Sequence, residues 1–292
     1  MPSLGTTAEG DVMGALDGYG ALVTGGGSGI GEGCAAALAR DGATVTICGR
    51  TPGKLEAAAD RLRVVAAEGA GVHTVVADVT EEEEIAAAVT RAAEPTGRLH
   101  AVVASAGGSL HLGPLVLADA DAVRATVDLN VMGTFLTLKH AAARLAESGA
   151  GSFVGVSSHA GLDTFRFLGA YGAAKAGLDM ILRVAADELG PARVRVNSVR
   201  PGIIANELMA AITAGGPVLD SYLENIPLHR VGTVEDVAAL VRFLVGPESS
   251  WITGQLIGVD GGQSLRKGAD FTAFAEPGHR DQPSWSLVTE EG

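Results

Sequence analysis

Short apolar segments alternate with longer segments of helical periodicity along most of the chain. The longer segments predict helices, including 51–69 with Pro52 near its first turn, 118–148, and 233–245 with Thr233 as its N-cap. Strict alternation of strands and helices is typical of βαβ units, which build a parallel sheet covered on both faces. The predicted fold class is therefore α/β: a single-domain, doubly wound, seven-stranded parallel sheet with helices on both faces. The predicted strands are 20–24, 43–48, 72–77, 99–104, 152–157, 192–199 and 252–262.

The two ends of the chain differ from this pattern. Residues 1–16 are small and polar, which predicts a flexible N-terminal arm. The domain is predicted to span 17–268, because no composition break interrupts the alternation. Residues 269–292 are rich in Pro, Gly and acidic side chains and are predicted to form a C-terminal tail. Phe271, Phe274 and Trp285 leave two interpretations of this tail open: disorder, or docking on a neighbouring subunit.

Charge and composition argue against several classes of function. The chain has 292 residues and a net charge of −13, whereas nucleic acids and anionic lipid attract basic surfaces. Cys34 and Cys48 lack CxxC spacing and a nearby histidine, so no metal site is predicted. The chain shows neither a signal-peptide pattern nor an apolar run of about 18 residues. We therefore expect a cytoplasmic protein with no nucleic-acid or membrane partner.

One predicted helix carries a candidate proton donor. Tyr171 and Lys175 are four residues apart, so their side chains lie on the same helix face. A free tyrosine has a pKa of about 10, and a nearby positive charge favours the phenolate. The pair is thus a candidate for proton exchange at ordinary pH, although this spacing also occurs by chance on solvated helix faces.

A glycine-rich loop follows the first predicted strand. In this loop, Thr24-Gly25-x-x-x-Gly29-x-Gly31 leads from the strand into a helix. A doubly wound, or Rossmann, sheet binds the pyrophosphate of a dinucleotide at this point. Glycine permits positive φ and a close approach of the backbone, and the helix N-terminus offers free N–H groups. The loop therefore predicts a dinucleotide site, with a flexible turn as the alternative.

The junction after the second strand bears on the choice between NAD and NADP. In such folds a carboxylate there binds the ribose of NAD, but this chain has Arg50, which suits a 2′-phosphate. NADP(H) is favoured and NAD(H) is the alternative, since Ser28 in the glycine loop supplies no second cation. Asp78 is predicted to accept from the adenine amino group, to begin the following helix, or both. Ser105, Ala106 and Gly107 are small enough for the cofactor ribose to lie against their backbone.

In this order, the motifs resemble those of a short-chain dehydrogenase/reductase. The resemblance extends from about residue 16 to residue 262 and is specific only when the motifs are taken together. They are TGGGSGIG at 24–31, DV at 78–79, ASAGG at 104–108, Asn130 in LNVMG, Ser158 in VSS, YGAAK at 171–175, VNSVRPG at 196–202 and VDGG at 259–262.

The resemblance implies four catalytic residues. Ser158 would hold the substrate oxygen, and the adjacent Ser157 is expected to face elsewhere. Tyr171 would donate or remove the hydroxyl proton, and Lys175 would lower the pKa of Tyr171 and bind the nicotinamide ribose. Asn130 would hold a water that links Lys175 to solvent. The implied reaction is hydride transfer between a nicotinamide and a carbonyl carbon, coupled to proton transfer by Tyr171.

The chain departs from the family pattern at three places. Ala104 and Ser105 stand where the family often has two asparagines, and Asn206 stands where a threonine commonly contacts the nicotinamide carboxamide. Arg200 replaces a small residue, and we favour a structural ion pair over a contact with an acidic substrate. The predicted cofactor contacts are Thr24, Gly25, Ser28, Gly29, Ile30, Gly31, Arg50, Asp78, Val79, Ser105, Ala106, Gly107, Tyr171, Lys175, Pro201, Gly202, Ile204 and Asn206.

Three variable segments would select the substrate: 108–113, 162–168, and a lid at about 203–229. Their apolar side chains predict a hydrophobic ketone or secondary alcohol as the small-molecule substrate, with ordinary packing as the alternative. Those side chains are Phe165, Phe167, Leu208, Met209, Ile212, Leu219 and Tyr222. His111 and His159 are interpreted as loop residues near the cleft. Two other functions stay open, an enoyl reductase and a non-catalytic dinucleotide sensor. The family also implies a homotetramer or homodimer, in which the long helix at 119–148 and the helix that carries Tyr171 pack against their copies.

Overall fold

One parallel sheet organises the molecule. The computed structural model describes residues 14–207, 209–266, 268, 271 and 274. In this part of the chain, seven strands lie in the order β3-β2-β1-β4-β5-β6-β7, and every neighbouring pair is parallel. The predicted fold class is thereby confirmed. The strands are β1 Gly20–Thr24, β2 Thr44–Gly49, β3 Val72–Val76, β4 Ala101–Ala104, β5 Ser152–Val156, β6 Arg195–Pro201 and β7 Leu256–Val259.

Helices cover both faces of the sheet. On one face α1, α2 and α9 pack in a cluster with Val23 and Ile47, and on the other α3, α5 and α6 pack in a cluster with Leu22 and Cys48. Successive residues of a strand point to opposite faces, which is why the strands are apolar throughout. The helices are α1 Gly29–Arg40, α2 Pro52–Val65, α3 Glu82–Ala93, α4 Ala120–Val127, α5 Gly133–Glu147, α6 Gly169–Leu189, α7 Ala210–Thr213, α8 Pro217–Asn225 and α9 Val234–Val245.

The strand order reverses between β1 and β4. In open α/β sheets a ligand crevice forms at such a switch point, beyond the carboxyl ends of the strands. Here a cleft of about 1140 Å³ opens at this place. The loops that follow β1, β2, β4 and β5 therefore converge on one cavity.

Local sequence signals explain some helix ends and miss one irregularity. The hydroxyl of Thr233 accepts from the N–H of Asp236 at 3.3 Å, which confirms the predicted N-cap. The helix predicted over 118–148 is interrupted by a π-helical turn, Asp128–Met132, between α4 and α5. A π-turn widens the helix by one residue, and Asn130 within it is fully buried.

Both predicted boundaries of the domain need revision. Leu16 is fully buried and its N–H donates to the carbonyl of Asp41, so the folded domain includes this residue. Residues 1–13 and Trp285 lie outside the described residues. Phe271, assigned from the sequence to the tail, is buried on its own domain against Phe165. None of the helices in the described residues is both long and apolar enough to cross a membrane.

Candidate active site

Tyr171 and Lys175 lie together at the base of the cleft, on the first two turns of α6. The ammonium nitrogen of Lys175 lies 5.6 Å from the ring centroid of Tyr171. This nitrogen is almost completely buried and donates to the carbonyl oxygen of Val156, at the end of β5, at 2.9 Å. The shared helix face predicted from the spacing is therefore present, although α6 begins at Gly169, two residues before Tyr171.

Ser158 lies beside the phenol. Its side chain is hydrogen-bonded to that of Tyr171, and its Oγ also accepts from the N–H of Ala160 at 3.1 Å. The side chain of Ser157 is buried and donates to the carbonyl of Lys175 at 3.3 Å. The structure thus brings Ser158 to Tyr171. The hydroxyl of Ser157 donates to the backbone of α6 instead, although Ser157 also lines the cleft.

Asn130 supports the loop after β4 from behind. Its amide nitrogen donates to the carbonyls of Gly108 and Thr126, both at 2.7 Å, and its oxygen accepts from the N–H of Gly108 at 3.2 Å. A Cβ on Gly107 would lie 2.7 Å from Asn130 Oδ1 and 3.0 Å from Lys175 Nζ. Gly107 therefore passes between the two side chains, and a larger residue there would displace them.

Burial dominates the electrostatics of the pair. It raises the pKa of Tyr171, and the hydrogen bond with Ser158 opposes this rise. It also lowers the pKa of Lys175 to about 8, while the charge of Asp179 opposes that fall. The prediction that Lys175 would lower the pKa of Tyr171 misses this effect, because desolvation disfavours both charged forms.

Asp179 belongs to a buried ion pair one helical turn beyond Lys175. Arg200 Nε donates to one carboxylate oxygen at 2.8 Å, and Ser198 Oγ donates to the other at 2.7 Å. This arrangement confirms the structural interpretation of Arg200. The carboxylate of Asp179, which does not line the cleft, also places a negative charge near Lys175.

The glycine loop has the geometry that a pyrophosphate requires. Gly25 and Gly29 have φ of +66° and +56°, which favours glycine. A Cβ on Gly31 would lie 2.3 Å from the carbonyl oxygen of Gly25, so the turn could not close with a larger residue. The N-terminus of α1 opens beside this turn. The loop therefore fits a dinucleotide pyrophosphate.

The part of the cleft that is predicted to hold the adenosine carries charges of both signs. Arg50 Nη1 lies 3.7 Å from Asp78 Oδ2, and the guanidinium side chain is 70% exposed. Asp78 Oδ1 accepts from the N–H of Thr80 at 3.0 Å and from its hydroxyl at 2.8 Å. Lys54 lines the same cleft and pairs with Glu207 at 3.3 Å. Lys54 was not predicted from the sequence, although its position in the first turn of α2, four residues after Arg50, is a usable signal.

The cleft brings together all but two of the predicted site residues. Thr24 and Asn130 do not line it. The hydroxyl of Thr24 accepts from the N–H groups of Ser105 and Ala106 at 3.1 and 3.2 Å, so it fixes the loop instead. The predicted residues that line the cleft are Gly25, Ser28, Gly29, Ile30, Gly31, Arg50, Asp78, Val79, Ser105, Ala106, Gly107, Ser158, Tyr171, Lys175, Pro201, Gly202, Ile204 and Asn206.

The predicted substrate residues divide into two groups. Phe165, Met209, Ile212 and Tyr222 line the cleft. Phe167 and Leu219 pack behind them in the same apolar cluster. Leu208 lies outside the described residues.

The two loop histidines differ in their surroundings. His111 lines the cleft, with Nε2 3.2 Å from the carbonyl of Gly113. His159 also lines the cleft, as predicted, but its side chain is buried, with Nε2 2.6 Å from Asp163 Oδ2 and Nδ1 3.3 Å from Asp260 Oδ2. This link to two carboxylates, one in the β5–α6 loop and one after β7, was not predicted from the sequence.

Comparison with known proteins gives the family. A family model described as enoyl-(acyl carrier protein) reductase matches residues 25–264. A solved short-chain type dehydrogenase/reductase from Mycobacterium ulcerans is 48% identical, with a TM-score of 0.90 over 94% of this chain and 99% of that one. The chain belongs to the short-chain dehydrogenase/reductase family. The chain is also 34% identical to trans-4-hydroxycyclohexanecarboxylate dehydrogenase of Sinomonas cyclohexanicum, over 84% of this chain and 92% of that protein.

Two other solved members of the family contain cofactor. A 7α-hydroxysteroid dehydrogenase bound to NADH and 7-oxo glycochenodeoxycholic acid is 28% identical, with a TM-score of 0.79 over 85% of this chain and 94% of that one. A short-chain dehydrogenase from Burkholderia cenocepacia in complex with NADP is 32% identical, with a TM-score of 0.78 over 85% and 99%. This short-chain dehydrogenase/reductase is accordingly an NAD(P)-dependent oxidoreductase of CH–OH and C=O groups.

Proposed function

We propose that this enzyme transfers hydride reversibly between NADP(H) and a hydrophobic ketone or secondary alcohol. The observation that carries the proposal is the position of Tyr171 in the cleft, with Lys175 Nζ 5.6 Å from its ring centroid and with Ser158 acting on the phenol through a hydrogen bond that lowers its pKa. A substrate oxygen placed between the two hydroxyls receives two hydrogen bonds, and these strengthen as negative charge develops on it.

Each residue of the group has a distinct role in this scheme. Ser158 orients the substrate oxygen, and Tyr171 gives it a proton during reduction or removes one during oxidation. Lys175 stabilises the phenolate that remains after donation. Asn130 holds the 107–108 loop against Lys175, and we retain the prediction that a water beside it returns the proton to solvent.

The nicotinamide cofactor supplies the hydride when it is bound. The chain's own contribution is to position it. The turn at Gly25 and Gly31 admits the pyrophosphate, and Gly107 leaves room for the ribose beside Lys175. Pro201, Gly202 and Asn206 also line the cleft, and we place the nicotinamide beside them. The amide oxygen of Asn206 accepts from the N–H of Met209 at 3.0 Å, which leaves its NH₂ group for the carboxamide.

The proposed preference for NADP(H) rests on cations at the adenosine end. Arg50 is exposed there, and its contact with Asp78 is long and solvated, so little energy is lost when the guanidinium turns to a phosphate. Lys54, on the first turn of α2, supplies the second cation that the glycine loop lacks, although Glu207 offsets part of its charge.

Substitution of Arg50 tests the cofactor preference. We expect Arg50→Ala to raise the Kd of NADPH by about ten- to one-hundredfold and to leave that of NADH within about twofold, because a charge-assisted hydrogen bond contributes about 1.5–3 kcal/mol. Both constants are measured from nicotinamide fluorescence. Arg63→Ala is the control, because Arg63 lies in the following helix α2, is paired with Asp60 and does not line the cleft. Equal loss of both cofactors, or no loss of either, would contradict the preference.

We propose an apolar substrate because apolar side chains line the part of the cleft beyond Tyr171. Phe165, Leu168, Met209, Ile212 and Tyr222 line this part of it. Similar proteins are named for a hydroxycyclohexane carboxylate and for a hydroxysteroid, both of which carry a secondary alcohol on a ring. The part that the two compounds share, a secondary alcohol on a ring, supports a ring-bearing secondary alcohol or its ketone as the substrate class, whereas the carboxylate of one and the fused rings of the other are not carried over to this enzyme.

A panel of substrates tests the reaction itself. We expect cyclic secondary alcohols to be oxidised with NADP⁺, and the matching ketones to be reduced with NADPH, as followed at the nicotinamide absorbance. The description of the matching family model makes an enoyl thioester the necessary comparison. Reduction of that C=C bond without carbonyl activity would replace the proposal with enoyl reduction. Tight NADPH binding without turnover of any compound would favour a sensor.

A further inference from the structure

Three aromatic side chains close the end of the cleft, and one of them comes from beyond the last strand. The ring centroids of Phe165 and Tyr222 lie 6.0 Å apart, and the ring of Phe271 lies 6.4 Å from the first and 6.0 Å from the second. All three residues are at most 8% exposed, and all three line the cleft. We call this group the aromatic wall.

The chain that carries Phe271 is fixed to the substrate side of the domain. Arg266 Nη1 donates to the carbonyl of Glu224, in α8, at 2.5 Å. A Cβ on Gly268 would lie 2.3 Å from the carbonyl oxygen of Thr164, so only glycine lets the chain cross the β5–α6 loop this closely. The first contact is with α8, which carries Tyr222, and the second is with the β5–α6 loop, which carries Phe165. The segment that precedes Phe271 is therefore held against the two elements that carry the other rings.

The aromatic wall faces the proposed proton donor. Tyr171 packs against the same apolar cluster as Phe165, Tyr222 and Phe271. Burial raises the pKa of Tyr222, and negative charge on Tyr171 raises it further. A substrate whose oxygen lies between Ser158 and Tyr171 therefore extends its carbon skeleton toward the wall. The shared family match ends at residue 264, seven residues before Phe271. Phe165 and Tyr222 of the aromatic wall thus lie within the residues that the family model matches, whereas Phe271 lies beyond them.

We infer that Phe271 is a specificity-determining residue, which limits the substrate to a compact apolar ring. The inference rests on the proposed function and adds the shape of the substrate to it. An unsubstituted six-membered ring packs edge or face against the three aromatic rings without displacing them. A bulky group on the far side of that ring collides with Phe271, and a charged group there loses its hydration without gaining a partner.

Phe271→Ala tests this inference with two ketones, cyclohexanone and 4-tert-butylcyclohexanone. We expect kcat/KM for cyclohexanone to fall about tenfold, since the ring loses its contact, while that for the bulkier ketone rises or is unchanged. The ratio of the two constants then shifts at least about tenfold toward the bulkier ketone. Phe274→Ala is the matched control, because Phe274 follows on the same segment but is 42% exposed. It should leave the ratio unchanged.

Two further measurements keep the outcomes separate. Phe271→Leu retains apolar volume and should shift the ratio less than Phe271→Ala, with an unchanged melting temperature as evidence of folding. Saturation-transfer NMR with both ketones reports binding without turnover. If the wild type bound cyclohexanone selectively but reduced neither ketone, the proposed reaction would fail while the inference stood. If the folded Phe271→Ala protein kept the wild-type preference in binding and in turnover, the inference would be overturned.

Discussion

Replacement of Tyr171 by phenylalanine is expected to reduce kcat by about 10²–10⁴-fold, the usual contribution of a positioned proton donor. The substitution removes one oxygen and keeps the ring, so the packing over Lys175 is preserved. Ser158 still holds the substrate oxygen, and the turn at Gly25 and Gly31 is untouched. The loss should therefore appear in kcat at saturating cofactor, while the Kd of NADPH, measured by fluorescence, stays within about twofold.

The control for this variant removes a hydroxyl elsewhere. Tyr19 stacks on His100 at 4.8 Å, outside the cleft, so Tyr19→Phe should retain full activity. A Tyr171→Phe enzyme that kept a tenth or more of the wild-type kcat would refute the proton role. Loss of cofactor binding in that variant would instead mean that the phenol holds the cofactor site together.

The fold could be predicted because its signals are local and repeated. Parallel strands are buried on both faces, so each appears as an unbroken apolar segment such as 20–24 or 152–156. The positions of Tyr171, Lys175 and the glycine loop follow from spacing within single elements. Such patterns need no knowledge of which distant residues meet.

The parts that were missed depend on contacts between distant residues. Phe271 packs on Phe165 and Tyr222, more than one hundred and nearly fifty positions earlier in the chain, and no periodicity links them. The π-turn at Asn130 was missed because one extra residue barely disturbs helical periodicity. The pKa of Tyr171 was judged from its neighbour Lys175 alone, whereas burial depends on the whole fold.

The oligomeric state stays a prediction. Apolar side chains are exposed on α5 and α6, the helices through which the family resemblance implies self-association. Phe135 on α5 is 37% exposed, and Met180 and Val184 on α6 are 56% and 49% exposed.

Replacement of Lys175 by methionine is expected to stabilise the protein while it removes activity. Burial holds the pKa of this lysine at about 8, against 10.5 in the ordinary side chain. Below pH 8 this lysine is charged in both states, but the charge is less favourable in the folded state. The lowered pKa corresponds to a loss of about 3 kcal/mol in the free energy of unfolding. Methionine has similar length and no charge, and Asp179 keeps Arg200 and Ser198 as partners. Because the hydrogen bond to the carbonyl of Val156 is lost, we expect the free energy of unfolding of Lys175→Met to exceed that of the wild type by only about 1–2 kcal/mol at pH 7.

The pH dependence separates this effect from ordinary repacking. Between pH 8 and 10.5 the unfolded wild type binds more protons at this lysine than the folded state does, so wild-type stability rises with pH across that window. The Lys175→Met protein lacks this rise. The excess stability of the variant over the wild type should be largest below pH 8 and should disappear toward pH 10, as measured by urea unfolding at pH 7 and pH 9.5.

The control for this variant is Lys139→Met, at an exposed lysine paired with Glu82, which should be no more stable than the wild type at pH 7. A Lys175→Met protein less stable than the wild type at pH 7, or one whose advantage grew with pH, would mean that the ammonium stabilises the fold. The buried charge would then serve structure as well as chemistry, rather than being retained for catalysis at the expense of stability.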